Sequence, residues 1–179
     1  TTDSGATGHT VTNTSVVRSS TESKYGGYSA YFSSANLFIP HHADWTFGTG
    51  DWTVELWIKS ANISTHAGII DINKYSTALP VINQNAGAVT FQHVGLSVSP
   101  AFTTAWHHLA FTKDSGTVRS YLDGVQKESV VSSYSQSSTN GVILGNYYNG
   151  NYPYTGYIDE VRISNVSRYP SGTTFTPNQ

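Results

Sequence analysis

The sequence contains no cysteine and no methionine. Without a thiol there is no disulfide, no thiolate metal centre and no cysteine nucleophile. Without an initiator methionine, a chain beginning at Thr1 reads as processed or cut from something longer. Charge is scarce too, at 11% of residues, against roughly 25% in an average soluble protein. The net charge of −2 leaves no basic footprint for a nucleic-acid backbone. No apolar run approaches the roughly 18 residues of a spanning helix, so no membrane span is expected. What fills the chain instead is Ser plus Thr, 46 of 179 residues, and aromatics at 13%. That hydroxyl-rich, low-charge profile suits an extracellular all-β protein, because long surface helices need Glu and Lys. Stability must then come from the core, helped by a bound ion or by neighbouring subunits.

The apolar periodicity is two almost everywhere. Along residues 52–59, Val54, Leu56 and Ile58 share one face, with Thr53, Glu55, Trp57 and Lys59 on the other. Residues 106–113, 117–122 and 125–131 are strands separated by Asp114-Ser115-Gly116 and Asp123-Gly124, which are tight-turn sequences, and together they predict a three-stranded meander. Further strands are expected at 10–17, 29–33, 36–39, 68–72, 79–83, 88–93, 142–144 and 156–164, with one helical turn at 43–47. The Ser-rich stretch 132–140 reads as an exposed connection. Trp52, Trp57 and Trp106 are expected in the core. No regular internal repeat is present. The pattern is that of one all-β sandwich.

Four segments then resemble a known family. Ser29-Ala30-Tyr31-Phe32 with Leu37-Phe38-Ile39-Pro40 precedes Phe47-Gly48-Thr49-Gly50-Asp51-Trp52-Thr53-Val54-Glu55-Leu56-Trp57-Ile58. Trp106-His107-His108-Leu109-Ala110-Phe111-Thr112 with Tyr121-Leu122-Asp123-Gly124 follows, and Gly156-Tyr157-Ile158-Asp159-Glu160-Val161-Arg162-Ile163-Ser164 closes the series. In this order they resemble a laminin-G-like domain of the concanavalin A-like lectin and glucanase superfamily. The resemblance runs from about residue 10 to residue 169. It implies a jelly-roll β-sandwich of two antiparallel sheets, spanning residues 1–179 as one domain with an N-terminal lead-in at 1–9 and a tail at 165–179.

Fold does not fix function, so catalysis is judged on residues. Glycosidic cleavage needs two carboxylates flanking one bond. Retaining enzymes of this architecture carry them as Glu-x-Asp-x-x-Glu, and none of Glu22, Glu55, Glu128 and Glu160 begins that pattern. No Gly-x-Ser-x-Gly elbow, His-Glu-x-x-His motif or phosphate loop is present either. The expectation is that the chain is not an enzyme. His41-His42 and His107-His108 are adjacent pairs that face opposite ways on a strand, and His9, His66 and His93 are isolated, so no transition-metal site is expected. His107 and His108 read as hydrogen-bonded framework. The resemblance nominates a different ion. Asp3-Ser4-Gly5-Ala6-Thr7-Gly8-His9 resembles the segment before the family's first strand, and by position Asp3 and Asp159 would hold a structural Ca²⁺. The departure at Ala6-Thr7 alters that loop. The alternative leaves Asp3 solvated and Asp159 as a cap on backbone donors.

The stretch 146–154 holds four Tyr and three Asn. Tyr147, Tyr148, Asn149, Asn151, Tyr152 and Tyr154 offer aromatic faces and amide donor–acceptor pairs suited to a glycan. The same composition suits a protein contact or packing against its own domain. His41, His42 and Trp45 form a second patch. Asn13, Asn62 and Asn165 lie in glycosylation sequons. The leading expectation is a non-catalytic carbohydrate-binding or adhesion module on an extracellular, cell or virion surface. The alternative is a self-assembling subunit of an extracellular filament or virion surface, with homo-oligomer contacts at open sheet edges.

Overall fold

A computed structural model describes residues 3–5, 7–74, 81–99, 102–147, 150–172 and 174–178. Fourteen strands are present among them: β1 (Thr12–Thr14), β2 (Val17–Ser19), β3 (Ser29–Ser33), β4 (Asn36–Ile39), β5 (Trp52–Ser60), β6 (Ala67–Asp71), β7 (Val81–Asn85), β8 (Ala88–Phe91), β9 (Leu96–Ser97), β10 (His107–Asp114), β11 (Thr117–Leu122), β12 (Val125–Val131), β13 (Val142–Leu144) and β14 (Thr155–Ser164). They form two seven-stranded antiparallel sheets, ordered β1-β4-β13-β6-β7-β8-β9 and β12-β11-β10-β5-β14-β3-β2. The core lies between the sheets, where Val54, Leu56, Ile58, Leu109 and Phe111 of one meet Ile70, Ile82, Val89 and Phe91 of the other. This is the expected all-β jelly-roll sandwich. No helix of the described residues is long and apolar enough to cross a membrane.

Both turns of the meander are as expected. Ser115 and Gly116 (φ 48° and 81°) join β10 to β11, and Asp123 and Gly124 (φ 52° and 78°) join β11 to β12. Paired positive φ values match the right-handed twist of the flanking strands. The helical turn at 43–47 is a 3₁₀ turn, Ala43–Trp45, capped by the His42 side chain.

Four expectations are corrected. The strand expected at 10–17 is split into β1 and β2, which belong to different sheets. The break is at Ser15 (φ 64°), where the Asn13 side chain bonds both the N–H and the carbonyl of Val16 (2.8 and 2.9 Å). Asparagine offers its own backbone this alternative to strand pairing. The stretch expected at 88–93 ends early because Gln92–Val94 turns into 3₁₀ geometry, closed by Gly95 in the left-handed region. The connection 132–140 is not exposed throughout: Tyr134, Gln136 and Ser138 are buried, and Gln136 pairs with Gly48. Trp106 is only half-buried, whereas Trp52 and Trp57 are buried as expected.

The outward face of β5 is covered rather than solvated, and eight of its nine residues are buried. The chain after β14 folds back over it. Thr53 Oγ1 donates to the Val166 carbonyl (2.9 Å) and accepts from Arg168 N–H (3.0 Å), and Phe175 N–H donates to the Gly124 carbonyl (3.0 Å).

Candidate functional site

The loop between β13 and β14 is gathered at a narrow neck. Gly145 N–H donates to the Ile69 carbonyl, and the Gly145 carbonyl accepts from Tyr154 N–H, both at 2.9 Å. Gly145 sits at φ 82°, and a Cβ there would lie 2.3 Å from the Phe32 ring. Only glycine satisfies both conditions. Beyond the neck, Asn146 organises the loop. Its side-chain oxygen accepts from Tyr147 N–H (2.8 Å) and Tyr152 N–H (3.2 Å), and its amide donates to the Gly150 carbonyl (3.2 Å). The loop then lies across β6, where Gly68 N–H donates to the Tyr152 carbonyl (2.9 Å). A Cβ at Gly68 would lie 2.6 Å from the Tyr147 ring and 2.7 Å from the Asn146 backbone.

This docking assembles an aromatic trio. The Tyr147 ring is buried, and its hydroxyl is hydrogen-bonded to His66 Nε2 (2.6 Å). Tyr152 stacks on it with centroids 4.8 Å apart and planes 23° apart, and the His66 ring lies 4.5 Å from Tyr152. Burial raises the Tyr147 phenol above its ordinary pKa. Tyr152 is half-buried and Asn151 exposed, so both present polar or aromatic surface. Beside them opens a cleft of about 270 Å³ lined by Asn62, Thr65, Gln84, Pro153 and Thr155. Gln84 is fixed there, donating to the Asn62 and Thr65 carbonyls (2.7 and 3.3 Å) and accepting from Ser60 Oγ (2.5 Å). The surface combines an aromatic face, carboxamides and hydroxyls.

The six loop residues therefore divide. Asn151 and Tyr152 reach the surface, and Tyr147 lies beneath Tyr152. Tyr154 is corrected from contact residue to core residue: it is fully buried, edge-on to Phe32. Its hydroxyl lies 3.2 Å from Ser60 Oγ and donates to the Tyr157 carbonyl (3.4 Å), while burial pushes its pKa well up. Tyr148 and Asn149 lie outside the described residues. His66, read as isolated in sequence, belongs to the trio; it stands 81 positions before Tyr147, and only sheet pairing reveals the contact.

Among the described residues Asp3 and Asp159 share no hydrogen-bond partner. Asp3 accepts from Gly5 and His9 N–H (2.7 and 3.0 Å). Asp159 accepts from Lys24, Tyr25 and Glu160 N–H (2.9, 3.2 and 3.0 Å) at a bulge in β14 where Glu160 takes φ 49°. In the second patch Trp45 is buried, with its indole N–H donating to the Pro40 carbonyl, and His41 and His42 are exposed.

Residues 27–171 match the family profile described as the Concanavalin A-like lectin/glucanases superfamily. The chain belongs to this superfamily. A search of curated proteins found no match. Among solved structures, the superfamily fold recurs in domain 4 of AbnA, an extracellular arabinanase from Geobacillus stearothermophilus, solved with arabinotriose. That match has 22% identity and a TM-score of 0.62, covering 93% of this chain and 86% of that one. A botulinum neurotoxin type C structure described as interacting with two ganglioside molecules matches at 10% identity and TM-score 0.66, covering 93% and 45%. A putative carbohydrate binding protein from Bacteroides ovatus matches at 17% and 0.63, covering 84% and 47%. The chain thus spans less than half the length of the last two proteins.

In this superfamily sandwich the buried carboxylate of Glu55 belongs to a latch away from the Tyr152 surface. Glu55, on the covered face of β5, lies 3.3 Å from His108 Nε2, 2.7 Å from Arg168 Nε and 3.6 Å from Arg162, and accepts from the Tyr169 hydroxyl. Burial alone would raise its pKa. The hydrogen bonds from His108 and Tyr169 and the nearby His108 and Arg168 outweigh that effect and hold it below the ordinary value. Tyr169, through burial and its bond to Glu55, is pushed up to about 12. His107 is framework as expected, bonded to Asp123 and Thr103, each at 2.7 Å.

Proposed function

We propose that this chain is a non-catalytic carbohydrate-binding module, displayed outside the cell or on a virion surface, that contacts glycans through Tyr152, His66 and Asn151 and the adjoining cleft. The observation that carries this reading is the stack of Tyr152 on a buried, hydrogen-bonded Tyr147. A ring held from beneath loses little freedom when a sugar's C–H face settles on it. Asn62, exposed at the cleft, supplies a side-chain amide of the kind that pairs with sugar hydroxyls, while the buried Gln84 holds the cleft floor through its own hydrogen bonds. A cleft of about 270 Å³ is near the lower end of the roughly 300–1,000 Å³ typical of small-molecule sites, in keeping with one or two sugar units. Structures of the same fold solved with arabinotriose or described as interacting with gangliosides support the substrate class. The extracellular arabinanase and the hydroxyl-rich, low-charge composition support the location.

The test is a glycan array followed by calorimetry on the best oligosaccharide. Wild-type protein is expected to bind, and Tyr152→Ala to weaken binding at least about tenfold, equivalent to about 1.4 kcal/mol. Incubation with polysaccharides is expected to release no reducing ends. Binding unchanged in Tyr152→Ala would move the contact surface elsewhere, and new reducing ends would make the protein a hydrolase.

A further inference from the structure

Among the described residues, one group of three or more His, Asp or Glu side chains converges closely enough to hold a metal ion: His9, His42 and Asp44, whose ligand atoms all lie within 4.8 Å of one another. His9 precedes β1, whereas His42 caps the 3₁₀ turn Ala43–Trp45 and Asp44 lies within it. The two imidazoles address different oxygens of one carboxylate, His9 Nε2 at 3.0 Å from Oδ2 and His42 Nδ1 at 3.1 Å from Oδ1. Thr7 Oγ1 lies 2.8 Å from the same His9 nitrogen.

We propose that His9, His42 and Asp44 bind a divalent transition-metal ion, with Zn²⁺ the best-matched cation. Two imidazole nitrogens and one carboxylate oxygen are a borderline donor set that favours zinc over calcium. Ligands about 2.0–2.1 Å from a tetrahedral zinc stand about 3.3 Å apart. The two carboxylate–imidazole separations are close to that, and the third edge closes by rotation of the half-exposed His42 side chain. His9 is already positioned: its ring packs 4.5 Å from Trp45, its side chain is 11% exposed, and its backbone N–H donates to Asp3. Such support around a ligand reduces the ordering that binding requires. The ion would clip the segment before β1 to a turn 35 residues later, a role independent of glycan binding.

Titration of the purified protein with ZnCl₂ in a calorimeter tests this, with His42→Asn, Asp44→Asn and His41→Asn run in parallel. Asparagine at 42 keeps a side-chain acceptor for the 3₁₀ turn, so loss of binding there is loss of a ligand. The expected result is saturable one-to-one binding, weakened at least tenfold in His42→Asn and Asp44→Asn, unchanged in His41→Asn, and not displaced by CaCl₂. Zn²⁺ should also raise the melting temperature of wild type but not of His42→Asn. Absence of saturable binding would show that the cluster only caps the turn, and equal loss in His41→Asn or displacement by calcium would equally overturn the proposal.

Discussion

Replacing Glu55 with alanine is expected to destabilise the fold by about 3–5 kcal/mol, the range for removing one partner of a buried ion pair, read as a fall in the urea midpoint. The change strips His108, Arg168, Arg162 and Tyr169 of their shared carboxylate at once. His108 is buried and cannot recover its partner from water. Arg168 and Tyr169 belong to the chain that folds back after β14, so the loss should also loosen that segment. Amide exchange at Phe175 N–H, which donates to Gly124, should accelerate more than exchange in β10. The acid response has a definite sign. A carboxyl whose folded pKa is depressed stabilises above its unfolded value, about 4.3, and that stability is lost as pH falls through the folded pKa. The stability gap between wild type and Glu55→Gln should therefore be full at pH 6 and shrink on acidification below about 4.3. A gap that stays constant down to pH 2 would show that folding does not lower the Glu55 pKa, and a gap that moves in wild type's favour on acidification would show that the folded state prefers the neutral carboxyl.

Gly68→Ala is expected to unseat the loop that carries the candidate site. Its Cβ would lie 2.6 Å from the Tyr147 ring and 2.7–2.8 Å from the backbone of residues 146 and 147. Backbone cannot swing aside as a flexible side chain can, so either β6 or the loop must move. Overpacking of this kind costs typically about 1–3 kcal/mol. The hydrogen bond from Gly68 N–H to the Tyr152 carbonyl should be lost or lengthened with it. The predicted signature is a modest drop in melting temperature together with loss of the near-ultraviolet signal from the Tyr147–Tyr152 stack and loss of glycan binding. If glycan binding survives while melting temperature falls, loop and ligand surface are separate.

Much of the sandwich is legible in the chain because strand period and turn chemistry are local. Asp123-Gly124 announces its turn from two residues, and the alternation in β5 identifies Val54, Leu56 and Ile58 as the inward face. The same alternation does not reveal what covers the other face of β5, because a segment more than a hundred residues later is invisible to a local pattern. The split at Ser15 is missed for a related reason: β propensity persists through residues 10–17, while a single Asn13 side chain redirects the backbone. For the site, composition singles out residues 146–154 but does not sort them. Burial sorts them, taking Tyr154 into the core and leaving Tyr152 at the surface. His66 and the meeting of His9 with His42 and Asp44 arise from tertiary pairing alone. Adjacent histidines rule each other out as partners on one strand but say nothing of a third that arrives from elsewhere.

The most direct test of the glycan-binding account is a titration of ¹⁵N-labelled protein with the best array oligosaccharide, followed by amide chemical shifts. The account predicts saturable perturbations centred on Asn62, His66, Asn151, Tyr152 and Thr155, with the amides of β10 and β11 unmoved. Perturbations centred on another face of the sandwich, or none at saturating oligosaccharide, would contradict it.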